Sequence, residues 1–88
     1  MVVFRKQEIG DVLLIETYGE LHRIEDKLRF YRAKYQQDFI SFSERIGNEE
    51  ENFEHFDDFI EWKAYENLYH DTVKKIEDLR SGNFQVAQ

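Results

Sequence analysis

Between residues 20 and 36 the apolar side chains Leu21, Ile24, Leu28, Tyr31 and Tyr35 recur at alternating steps of three and four. At 100° per residue this spacing keeps all five within an arc of roughly 80°, as in a helix with one buried face. Thr17 and Glu20 have the spacing of a capping box, so the helix is predicted to begin there. Asp38 reads as the cap of a short helix over 38–46, with Phe39, Phe42 and Ile46 inward and Gly47 as its stop. Asn48, followed three residues later by Glu51, caps a third and longest helix that ends near Gly82. Upstream, residues 2–6 and 12–17 are rich in β-branched and apolar side chains, and Gly10 and Asp11 supply a turn between them. The predicted fold is therefore mainly α within the α+β class. An N-terminal β-hairpin (1–18) precedes a helical part (19–82) whose first and last helices pair antiparallel. Residues 83–88 form a loose tail in which Phe84 and Val86 are placed to dock on a strand edge.

The third helix carries a discontinuity. Trp62, Tyr65, Leu68, Tyr69, Val73, Ile76 and Leu79 form one apolar stripe. Phe53, Phe56, Phe59 and Ile60 form another, turned by roughly 180° on an ideal helix. Either an unbroken helix buries opposite faces in its two halves, or it bends or breaks near 57–59. Matching the stripes of the first and third helices leaves residues 49–61 projecting beyond the pair. The short helix is then expected to cover Phe53, Phe56 and Ile60. Glu50, Glu54, Asp57, Asp58 and Glu61, within an arc of about 100°, stay open to solvent.

Charge sharpens that expectation. Residues 49–62 hold seven carboxylates and no Lys or Arg, while the whole chain has 19 acidic and 12 basic residues. The imbalance is therefore confined to one segment. Acids at a helix start favour the macrodipole, and an exposed acidic face speeds and selects encounters with a basic partner. The two readings are compatible, with aromatics in the core and acids at an interface. A net charge of −7 opposes non-specific nucleic-acid binding. The chain's 88 residues make one domain with a thin stability margin, and without cysteine no disulfide or thiolate metal site adds to it. Association with a second copy is the expected supplement. Phe30, between charged residues on the side opposite the Leu21 stripe, is a candidate dimer contact, as are Phe4 and Leu14 of the hairpin. No apolar run approaches the ~20 residues of a membrane span, and no leader is evident, so a cytoplasmic protein is expected.

Catalytic signatures are absent from the sequence. Ser41, Ser43 and Ser81 lie in no nucleophile context, and the four glycines are isolated rather than grouped into a phosphate loop. Glu51 and His55, and likewise Glu66 and His70, are four residues apart, a spacing that puts two ligands on one helix face. A di-metal bundle needs Glu-x-x-His on two helices with further glutamates, so no metal or other cofactor is expected. No Arg precedes a His by five to seven residues, against a helical ribonuclease of the Arg-x(4–6)-His kind. Arg5 and Lys6, on a paired ribbon, keep open a small dimeric DNA-binding regulator. A structural homo-oligomer is the third alternative.

Residues 20–28 (Glu-Leu-His-Arg-Ile-Glu-Asp-Lys-Leu), the turn at Lys34 and Tyr35, Phe39-x-x-Phe42, residues 49–53 (Glu-Glu-Glu-Asn-Phe) and residues 57–62 (Asp-Asp-Phe-Ile-Glu-Trp) follow in a distinctive order. That order, over residues 17–80, resembles a group of small prokaryotic proteins, frequent in archaea and cyanobacteria, that look like antitoxins encoded beside ribonuclease-type toxins. The resemblance implies a non-enzymatic partner that neutralises a basic, RNA-targeting toxin by direct binding. Here the partner-binding residues would be Glu50, Glu54, Asp57, Asp58 and Glu61.

Overall fold

The computed structural model describes residues 5–84. Three helices follow in order, α1 (Lys6–Tyr35), α2 (Phe39–Asn48) and α3 (Phe53–Ser81), and no strand occurs among the described residues. α1 and α3 pack against each other as the expected antiparallel pair, and α2 packs on α3.

The predicted N-terminal β-hairpin is not formed, because residues 6–17 are the first turns of α1. Phe4 lies outside the described residues. The cause is a seam longer than the apolar stripe. Gly10, Leu14, Thr17 and Leu21 carry the three-four spacing of Ile24, Leu28, Tyr31 and Tyr35 back through the whole helix, and all eight are buried or half-buried. Such a repeat lets two helices interlock along their length. That packing outweighs the local β preference of residues 12–15. Thr17, expected as a cap, is buried in mid-helix, where its hydroxyl donates to the Leu13 carbonyl at 2.6 Å. The helix start is instead marked by Glu8, whose carboxylate accepts from the Arg5 backbone N–H at 3.2 Å.

α3 shows the same repeat. His55, Asp58, Trp62, Tyr65, Tyr69, Thr72, Ile76 and Leu79 follow at steps of three and four and are all buried or half-buried. The helix is unbroken through residues 57–59, and its seam does not change sides. Two polar residues, Asp58 and His55, simply continue it where an apolar stripe cannot be read.

The two ends of the hairpin differ in bulk. Where α2 adds a third helix, the core is aromatic, and Trp62 and Phe42 have no solvent exposure. Tyr31 stacks on Trp62 with ring centroids 5.6 Å apart, Phe42 lies 4.2 Å from Tyr35, and Phe39 stacks on Phe59 at 5.8 Å. Toward the other end only two helices remain, and the seam narrows to residues such as Gly10, Thr17 and Thr72. The molecule is accordingly a rod of 61 × 20 × 18 Å. Its radius of gyration, 17.8 Å, exceeds the ~12 Å of a compact domain of this length.

Local chemistry sets the ends of the elements. Asp38 caps α2 as expected, accepting from the Ser41 N–H at 2.8 Å, and α2 runs one residue past Gly47 to Asn48. Asn52 rather than Asn48 caps α3, accepting from the His55 N–H at 3.1 Å. Gly82 ends α3 in the left-handed conformation (φ 75°). Beyond it Phe84 docks on α1 rather than on a strand edge. A Cβ at Gly10 would stand 2.9 Å from its ring, so glycine makes room for it. Lys6 lies 4.9 Å over that ring and donates to the Gly82 carbonyl at 2.9 Å, tying the N-terminal end of α1 to the C-terminal end of α3.

Trp62→Ala should cost about 3–5 kcal/mol in urea unfolding, since it empties the centre of the three-helix end. Gln36 caps α1 with φ 52°, a left-handed conformation that disfavours side chains. Gln36→Gly should therefore raise stability by about 0.5–1 kcal/mol in the same assay.

Candidate functional site

The acidic segment is placed by the antiparallel register. The last turn of α1 lies alongside the first two turns of α3, so residues 54–61 do not project free as expected. Lys34 donates to Asp58 at 2.7 Å and to Glu54 at 2.9 Å. The Tyr35 hydroxyl donates to the same Asp58 carboxylate. Lys27 stands 3.9 Å from Glu61. Three of the five expected docking carboxylates, Glu54, Asp58 and Glu61, thus face cations of α1. Glu50 and Asp57 have no ion-pair partner among the described residues. Glu49 bridges two helices, pairing with Arg45 of α2 at 3.0 Å and with His55 of α3 at 2.8 Å.

Titration behaviour follows these contacts. Burial works against the Asp58 charge, but the hydrogen bonds from Lys34 and Tyr35 outweigh it and hold the carboxyl below the usual range. Burial, with Asp58 adding to it, pushes the Tyr35 phenol up to about 12. Burial and the Glu61 carboxylate raise Tyr31 as well. Asp58, and after it Glu54, keep Lys34 protonated well above the ordinary lysine range. The His55 hydrogen bond, then Arg45, lowers Glu49.

The aromatic face behaves opposite to expectation. α2 reaches Phe59 through Phe39 but leaves the rest of the stripe open, because it sits over the flank carrying His55, Phe59 and Trp62. Phe53 is 73% exposed, and Phe56 and Ile60 are each 53% exposed. These three lie on the outer side of α3, with Asp57 among them. A cleft of about 260 Å³ opens at the start of this face, floored by Ile46, Phe53 and Phe56 and rimmed by Glu49, Glu50 and Glu51. Sequence reasoning assigned these aromatics to the core. The polar seam at His55 and Asp58 was the available signal, because a helix flank opposite a seam faces solvent.

The other named residues are placed as follows. Phe30 is 55% exposed on α1 and lines a groove between α1 and α3. Leu14 is half-buried on the seam, and Arg5 and Lys6 belong to the start of a helix rather than to a ribbon. His55 pairs with Glu49 and not with Glu51, and Glu66 accepts from the Trp62 indole N–H at 3.2 Å. No group of three His, Cys, Asp or Glu side chains suited to a metal ion occurs among the described residues. No helix among them is long and apolar enough to cross a membrane. Comparison of the chain with family models, with curated proteins and with solved structures finds no match to any of them.

The pH dependence of stability tests the Asp58 contact. A carboxyl held below its unfolded value stabilises the fold above that value, and the contribution is lost as pH falls through the lower, folded value. Asp58→Asn should cost about 1–2 kcal/mol at neutral pH and leave a smaller further loss than wild type shows below about pH 4. The raised tyrosines act in the other direction. Stability should fall from the unfolded tyrosine value near 10 to about 12, and Tyr35→Phe should reduce that fall. Chemical denaturation at each pH measures both.

Proposed function

We propose that this chain is a non-enzymatic protein-binding module of antitoxin type, whose partner is a basic, RNA-targeting protein. The carrying observation is the outer face of α3, where Phe53, Phe56 and Ile60 stand exposed side by side. Contiguous exposed apolar side chains of this size mark interaction sites in soluble proteins. The acidic residues around them select the partner. Asp57 lies within the patch and Glu50 and Glu51 rim the adjoining cleft. An apolar centre with a negative rim suits an amphipathic segment whose apolar residues are flanked by Lys or Arg. The aliphatic stems of those cations lie against the phenyl rings while their heads meet carboxylates.

This reading moves the docking surface from the five-carboxylate arc to the flank beside it. Asp58, half-buried between Lys34 and Tyr35, orients α3, whereas Glu54 and Glu61 remain exposed beside Lys34 and Lys27 of α1. Glu50 and Asp57 keep their proposed role and are joined by the aromatic residues. In a complex with an RNA-targeting protein, these carboxylates would occupy cations that otherwise meet phosphates. The chain contributes no catalytic group to that inhibition.

Co-expression with the product of the neighbouring reading frame tests the proposal. A stable complex should form with a basic protein, and Phe53→Ser with Phe56→Ser should weaken it about thirtyfold or more, as expected for central anchors. Glu50→Gln with Asp57→Asn should slow association and flatten its salt dependence without altering helix content. A complex indifferent to both pairs of changes, or no complex with the neighbouring product, would refute this role.

A further inference from the structure

α2 covers one side of the α1–α3 hairpin and leaves the opposite side bare. That side carries a groove of about 680 Å³ between the two long helices. Its apolar lining is Ile24 and Phe30 from α1 with Tyr65 and Leu68 from α3. Phe30 and Leu68 are large and about half exposed, on a rod too thin to enclose them. The charged residues of this groove are unlike those of the α3 outer face. Glu20, Arg23, Asp26 and Lys27 contribute two charges of each sign, in a chain whose net charge is −7. This groove is where two strongly acidic copies can meet without bringing like charge together.

We propose that the occupant of this groove is a second copy of the chain, seated about a two-fold axis so that two hairpins close into a four-helix bundle. A two-fold contact brings the same patch from both copies together, so the patch must be complementary to itself. Glu20 and Lys27 are seven residues apart on one flank of α1. An antiparallel crossing midway between them sets Glu20 of each copy against Lys27 of the other. Arg23, near that axis, then lies within about one helical turn of both Glu20 carboxylates. Phe30 of each copy then lies level with residue 17 of the other, at the Thr72 end of the partner groove, while Leu68 of each copy lies near the axis. The bundle buries the half-exposed flank that α2 leaves open, as four-helix bundles do through facing apolar stripes. It does not use the Phe53, Phe56 and Ile60 face, so docking and pairing can coexist.

Sedimentation equilibrium of the full chain tests this pairing. At micromolar concentration the wild type should sediment at twice the 10.8 kDa chain mass. Phe30→Asp and Leu68→Asp, each at an exposed position, should keep their helical circular dichroism and weaken the dimer about thirtyfold or more. Glu20→Lys and Lys27→Glu should each weaken it about tenfold, and the double reversal should restore it. Phe56→Asp, on the other face, should leave it unchanged. A monomeric wild type, a dimer indifferent to Phe30→Asp and Leu68→Asp, or one dissociated by Phe56→Asp would each overturn the proposal. These outcomes are distinct from failure of the docking reading, which concerns complexes with a different protein.

Discussion

The Asp58 carboxylate, held between the Tyr35 hydroxyl and the Lys34 ammonium, stands at a seam position of α3 where an apolar side chain is the rule. Its placement requires the last turn of α1 to lie beside the first turns of α3. A polar seam residue specifies register, because any slip leaves a half-buried charge without its partners. Once Asp58 and His55 face inward, Phe53, Phe56 and Ile60 must face outward. The exposed aromatic face is thus a consequence of where one carboxylate finds its hydrogen bonds.

The remaining architecture follows from bulk along the seam. Trp62, Tyr31 and Tyr35 are too large for two helices to enclose, and α2 closes over them with Phe39 and Phe42. Toward the other end, Gly10, Thr17 and Thr72 let the helices meet without a third. Glu49 joins α2 to α3 through Arg45 and His55, fixing the connector from which the acidic rim projects. The result is a rod with one flank covered and two surfaces left over, one aromatic and acidic, the other apolar and balanced in charge.

Several elements were legible in the sequence, and what escaped has a common cause. The stripe from Leu21 to Tyr35, the Asp38 cap and the Gly82 stop were all readable, because each is a local signal with one physical meaning. Gly10 and Thr17 read as a turn and a cap, yet both are seam residues chosen for small size. Asp58 and His55 read as surface, yet Asp58 is held by Lys34 and Tyr35, distant in sequence, and His55 packs on Tyr35 and Phe42 while pairing with Glu49. Hydrophobic periodicity detects only apolar members of a seam. Where the seam turned polar, the Phe stripe on the far side took its place in the reading: Phe53, Phe56 and Ile60, expected to be covered, are exposed, while of the expected open arc only Asp58 turns inward. Glu50 and Asp57, without ion-pair partners among the described residues, lie beside the exposed aromatic flank.

The orientation of α3 can be measured directly, because the chain has no cysteine of its own. Single substitutions Phe56→Cys, Ile60→Cys, His55→Cys and Asp58→Cys would report the accessibility of each position through the rate of thiol labelling under native conditions. The account predicts fast labelling at 56 and 60, and slow labelling at 55 and 58 until denaturant is added. Fast labelling at 55 and 58 with protection at 56 and 60 would contradict it.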